Sequence, residues 1–92
     1  MFRAKDVADW NASKFPEEFV GATRSPFSCP LATYFMSQGY DEVEVEVQYY
    51  TLNGERYLTP RWMVEILQEV DQLGVDLVTS EQFAYIMGKL GY

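Results

Sequence analysis

The run Val43-Glu44-Val45-Glu46-Val47-Gln48-Tyr49-Tyr50-Thr51-Leu52-Asn53-Gly54-Glu55-Arg56-Tyr57-Leu58 constrains this chain more than any other stretch. Alternating apolar and polar residues followed by Asn-Gly are the strongest short-range signal for a β-hairpin. Asn53 and Gly54 suit a type I′ turn, in which both central residues take positive φ. A two-residue loop sets the register, with Leu52 opposite Glu55, Thr51 opposite Arg56, Tyr50 opposite Tyr57 and Tyr49 opposite Leu58. Alternation along a continuous first strand puts Val43, Val45, Val47, Tyr49 and Leu58 on a core face. Glu42, Glu44, Glu46, Gln48, Tyr50 and Tyr57 then share the solvent face.

The two strands are unequal. Proline gives no ladder donor, so Thr59-Pro60 ends the second strand and the Glu42–Glu46 segment outruns its partner. That overhang must pair elsewhere, be covered, or stand as an edge. Its glutamates recur about 6.6–6.8 Å apart along one face. Charge along an edge blocks strand-to-strand aggregation, and the same row can serve as a recognition surface for a basic partner. The Tyr50–Tyr57 pair has two readings as well: an ordinary cross-strand contact, or a patch for an Arg- or Lys-bearing partner.

Around the hairpin the chain reads mainly as helix. Residues 2–12 form a short helix with Val7 and Trp10 inward, and Pro16–Val20 suits one helical turn followed by loop to Phe27. Residues 29–38 form a helix with Pro30 in the first turn, Leu31, Tyr34 and Phe35 on one side and Gly39 as its cap. Thr59 as N-cap and Pro60 at the first position open a longer helix. Its inward residues are Trp62, Met63, Ile66, Leu67, Val70 and Leu73. Residues 75–78 suit a short strand, the candidate partner for the overhang. Thr79 or Ser80 caps a last helix with Phe83, Ile86, Met87 and Leu90 inward. The expected fold is α+β and a single domain over residues 1–92. A small antiparallel sheet (hairpin 43–58, with 75–78 as a third strand) is covered on one face by three to four helices.

With 92 residues and 48% hydrophobic residues, the chain supports one packed core. Seven basic against fourteen acidic residues give a net charge of −7, which disfavours direct nucleic-acid binding. The imbalance is local. Between Arg24 and Arg56 there is no cation, while Asp41, Glu42, Glu44, Glu46 and Glu55 fall in that interval. Such a cluster can steer a basic protein surface, with an attraction that fades in salt. One cysteine excludes an internal disulfide framework. The charged N-terminal stretch does not suit a signal peptide, and no apolar run suits a membrane span, so a cytoplasmic protein is expected.

Histidine is absent, which removes Ser-His-Asp and Cys-His chemistry along with the commonest metal ligand. No phosphate-cradling glycine motif or EF-hand loop is present. The carboxylate pairs Glu44/Glu46 and Glu65/Glu69 fall on faces expected to be wet, where no desolvation raises a pKa for acid–base work. No catalytic residue, cofactor or metal is assigned. Cys29, before Pro30 at a helix N-terminus, is either a reactive thiol favoured by the helix dipole or a small buried packing residue.

The order Ser28-Cys29-Pro30-Leu31-Ala32-Thr33-Tyr34-Phe35, Gly39, an extended segment and then Thr59-Pro60-Arg61-Trp62 resembles small proteins of phages and actinobacteria. Those carry a Cys-Pro-Leu-Ala-x-Tyr-Leu helix start and a later Pro-x-Trp helix. Phe35 stands where that pattern has leucine, and the acidic strand is not part of it. The resemblance implies a phage or mobile-element context, and no functional residue is carried over from it. The leading expectation is therefore a non-enzymatic binding module, in a phage setting an inhibitor that occupies a basic, nucleic-acid-binding surface of a host protein. Its binding residues would be Glu42, Glu44, Glu46, Gln48, Tyr50 and Tyr57. The alternatives are a Cys29-dependent redox or thiol factor, and a structural subunit forming a homodimer or larger homo-oligomer by pairing along the 42–47 edge.

Overall fold

The structure is a computed structural model that describes residues 2–92. In chain order its elements are α1 (Ala4–Ala12), β1 (Phe19–Ala22), α2 (Pro30–Ser37), β2 (Val43–Val45) and β3 (Tyr49–Leu52). β4 (Glu55–Leu58), α3 (Arg61–Asp71), β5 (Leu77–Thr79) and α4 (Ser80–Lys89) complete it. The α+β class is as the sequence implies. The strands, however, form two antiparallel sheets, β1–β5 and β2–β3–β4, where one was expected.

The Asn53-Gly54 turn forms as read. Both residues take positive φ, 50° and 86°, and β3 and β4 pair in the register Tyr49↔Leu58, Tyr50↔Tyr57, Thr51↔Arg56, Leu52↔Glu55. The first strand does not run straight into that turn. It reverses after Val45, so that Val43, Glu44 and Val45 lie opposite Leu52, Thr51 and Tyr50. A tight turn holds the reversal, with the Glu46 N–H donating to the Tyr49 carbonyl at 3.0 Å. The overhang thus pairs with its own continuation, not with residues 75–78.

This second reversal inverts the phase of β3. Tyr50 and Leu52 join Val43 and Val45 in the core, while Val47 and Leu58, expected inside, are exposed. Tyr50 is only 6% exposed. Its ring stacks on Phe35 of α2 at 5.5 Å between centroids, with Tyr57 stacked beyond it at 5.2 Å.

The other sheet has a strand where a helical turn and loop were expected. β1 pairs with β5 through Phe19↔Thr79, Gly21↔Val78 and Ala22↔Leu77, with a bulge at Val20. Gly21 lets this ribbon lie against the start of α2: a Cβ there would sit 2.5 Å from the Pro30 nitrogen and 2.7 Å from the Cys29 carbonyl carbon. Above the ribbon, Asn11 and Ser80 are both buried and bond reciprocally. The Asn11 amide donates to the Ser80 carbonyl at 3.0 Å, and the Ser80 hydroxyl donates to the Asn11 carbonyl at 3.1 Å. They tie the end of α1 to the start of α4.

The helices follow the sequence closely, with one correction at α3. It begins at Arg61 with Pro60 as its N-cap residue. Thr59 does not cap it but points back, its hydroxyl donating to the Glu46 carbonyl at 2.6 Å. Thr79 does cap α4, in a capping box with Gln82. The core is built from Leu31 and Phe35 of α2, Met63, Ile66 and Val70 of α3, and Phe83 and Ile86 of α4, with Val7, Val20 and Val78.

Candidate functional site

The residues from which a binding face was expected are divided by the inverted phase of β3. Glu44 stays on the outward face of the three-stranded sheet, opposite Thr51, which in turn lies opposite Arg56. Tyr50 and Tyr57 lie on the inward face. Tyr50, expected on the solvent face, is buried against Phe35 and offers a partner almost no surface. Tyr57, partly exposed at the margin of the aromatic stack, donates its hydroxyl to Glu55 Oε2 at 2.7 Å. That bond holds the phenol above its ordinary pKa.

Glu46 and Gln48 belong to the reversal between β2 and β3. The Gln48 carbonyl accepts from the Thr59 N–H at 3.2 Å. A hydrogen bond to Glu46 raises the Tyr49 pKa, and the Arg56 guanidinium lies 4.1 Å from the centre of the Tyr49 ring. Arg56, read from sequence as one end of a cation-free interval, thus stands over the same face as Glu44. Cation–π contact of this kind is worth about 0.5–1 kcal/mol at an exposed site.

Glu42 and Glu44 remain together. Asn53 fixes the backbone that carries them, its side-chain oxygen accepting from the Asp41 and Glu42 N–H groups at 3.0 Å each. Its own N–H donates to the Glu42 carbonyl at 2.8 Å. The two glutamates border an open groove of about 450 Å³, also lined by Phe27, Met36, Val43 and Thr51. Phe27 is 62% and Met36 42% exposed. The Thr51 hydroxyl oxygen is enclosed and has no hydrogen-bond partner.

The groove was not visible in the sequence. Phe27 lies in what reads as loop, and Met36 on the side of α2 away from the Leu31–Phe35 stripe. Nothing in their spacing announces that they meet the acidic segment. Among the described residues, none of Asp41, Glu42 and Glu44 takes part in an ion pair. The carboxylates of Asp6, Asp9, Glu18, Glu65 and Glu69 all do.

Cys29 sits at the N-cap of α2 as expected, its sulfur accepting from the Ala32 N–H at 3.5 Å. It is only 3% exposed, although it borders a cleft of about 240 Å³ beside Arg24, Glu46 and Asp71. Burial pushes its thiol up to about 11, outweighing the backbone bonds that favour the thiolate. Reactive thiols sit in partly exposed, electropositive surroundings that lower their pKa, and the burial of Cys29 acts in the opposite direction.

Among the described residues no group of three or more Cys, Asp or Glu side chains converges closely enough to hold a metal ion. No helix there is long and apolar enough to cross a membrane. The fold and groove together define a small α+β protein with an acid-bordered, partly apolar surface depression. Compared with protein-family models, curated proteins and solved structures, the chain matches none of them.

Proposed function

We propose that this chain is a non-enzymatic protein-binding module that receives a basic partner surface on the segment leading into and along β2, with Asp41, Glu42 and Glu44 as the attracting groups. One observation carries the reading: the backbone of Asp41 and Glu42 is clamped by Asn53, and among the described residues none of the three carboxylates is drawn into an ion pair. In the phage or mobile-element context that the Cys-Pro-Leu-Ala resemblance suggests, the finer reading is an inhibitor. It would occupy the nucleic-acid-binding surface of a host protein by presenting carboxylates where phosphates would otherwise sit. The test is a pull-down from host lysate at low and high salt, with Glu42→Lys/Glu44→Lys beside the parent chain. Capture that fades in salt and is lost in the charge-reversed chain supports the reading. Capture indifferent to both removes it.

A homo-oligomer built by strand pairing is the second reading, and the observation that supports it lies at β4 and not at the 42–47 edge. β2 is paired to β3 on one side, and on the other its Val45 N–H donates to the Pro26 carbonyl at 2.8 Å. Among the described residues β4 pairs only with β3, and all four of its residues are exposed, Leu58 at 87%. An open edge of that kind is a template for strand addition. Light scattering across a concentration series, with Leu58→Lys as the control, distinguishes the two readings.

A further inference from the structure

The groove beside β2 combines two properties that a purely electrostatic surface does not need. Its rim carries Glu42 and Glu44, while Phe27 and Met36 expose apolar side chains into the same depression of about 450 Å³. Exposed apolar area beside unpaired charge of one sign favours an occupant that supplies both complements.

We infer that this groove binds a linear segment of the protein partner in which one aliphatic or aromatic residue, seated between Phe27 and Met36, is flanked by Lys or Arg facing Glu42 and Glu44. The inference rests on the proposed function and narrows it from a basic surface to a basic segment with an apolar anchor. The division of labour follows from the physics of interfaces. Charges at a rim mainly raise the rate of encounter and are screened over about 8 Å at physiological ionic strength. A desolvated apolar anchor mainly slows dissociation and concentrates the binding energy at a few residues. The two contributions should therefore respond separately to salt and to substitution.

The experiment is selection of a displayed library of random twelve-residue peptides on the immobilised full chain at low salt. Affinities of the selected peptides are then measured by fluorescence anisotropy against the parent chain, Phe27→Ser/Met36→Ser and Glu42→Lys/Glu44→Lys. Phe27 and Met36 are exposed, and only variants whose amide NMR spectra match the parent fold are compared. The expected result is enrichment of one apolar position flanked by Lys or Arg. Replacing that residue by alanine, or using Phe27→Ser/Met36→Ser, should weaken binding roughly tenfold or more at fixed salt. Enrichment of cationic peptides without a shared apolar position, bound equally by Phe27→Ser/Met36→Ser and lost in Glu42→Lys/Glu44→Lys, overturns the inference and leaves the proposed function standing. Failure to enrich any cationic peptide overturns both.

Discussion

The β3–β4 and β2–β3 hairpins lie side by side in one sheet and share β3, yet they are closed by opposite means. The first turns on Asn53 and Gly54, both at positive φ, residues whose own conformational preferences suffice to reverse the chain. The second turns through Glu46, Val47 and Gln48, none of them at positive φ. Strand-forming valine sits in the middle of this turn, with no glycine, proline or asparagine to mark it. Beside the local bond from the Glu46 N–H to the Tyr49 carbonyl, it is held from a residue remote in sequence: Thr59 bonds the Glu46 carbonyl through its hydroxyl and the Gln48 carbonyl through its N–H. One reversal is written locally and the other is imposed by packing. Together they decide which face of β3 is wet.

The largest effect should come where packing alone dictates the backbone. A methyl group at Gly21 would meet the backbone of Cys29 and Pro30, which cannot move without shifting α2. Gly21→Ala should cost about 3 kcal/mol or more in urea unfolding, the upper end for overpacking a core. The same enclosure sets the next effect. With the folded Cys29 thiol at about 11 against an ordinary 9.0, the unfolded chain ionises first as pH rises. The thiol's contribution to stability is therefore intact below pH 9.0 and is lost as pH climbs towards 11. That loss should reach about 2–3 kcal/mol. Burial also raises the Tyr34 and Tyr50 phenols, so Cys29→Ala should flatten the alkaline decline without abolishing it.

Asn53 tests the locally written turn. Asn53→Ala loses tolerance of positive φ together with the acceptor for the Asp41 and Glu42 N–H groups. It should cost about 2 kcal/mol. Asn53→Gly restores the conformation but not the acceptor, and should recover about half of that loss. Equal losses in the two variants would mean that the turn is held by the clamp and not by its φ values.

Legibility in the sequence divides along the same line. The register of β3 on β4, a cap for α4 at Thr79 or Ser80 and the inward faces of α3 and α4 follow from short-range chemistry and could be read, the structure choosing Thr79 for the cap. The face assignment of β3 could not. Perfect alternation from Val43 to Tyr49 is compatible with a straight strand, and the fold breaks it to bring Tyr50 onto Phe35. β1 was hidden for a related reason. Phe19-Val20-Gly21-Ala22 pairs with a strand remote in sequence, and backbone bonds continue beyond both ends of the ribbon, the Glu18 carbonyl accepting from the Ser80 N–H at 2.7 Å and the Asp76 carbonyl from the Thr23 N–H at 3.0 Å. The candidate site inherits both outcomes. Glu42 and Glu44 could be singled out because alternation and the local excess of acid are properties of the sequence alone. Phe27 and Met36 could not, because they reach the groove only through tertiary structure, and Tyr50 was placed on the wrong face by the unseen turn.

The smallest predicted effect bears most directly on the comparison. Thr59→Val keeps the shape and the backbone N–H at this position but deletes the hydroxyl that reaches Glu46. A single hydrogen bond of this kind is worth about 0.5–1.5 kcal/mol net, with a further cost if the Glu46 carbonyl is left without a partner. Thr59 and Glu46 are half-buried, so water can replace part of what is lost and a figure of about 1 kcal/mol is expected. The location of the damage is more informative than its size. If Thr59 holds the reversal, amide exchange should accelerate at Glu46 and along β2 while the Leu52–Glu55 end of the neighbouring hairpin keeps its protection. Uniform acceleration across all three strands would show that the sheet opens as one unit. The distinction between a locally written turn and an imposed one would then describe how the sequence is read, not how the folded protein is held.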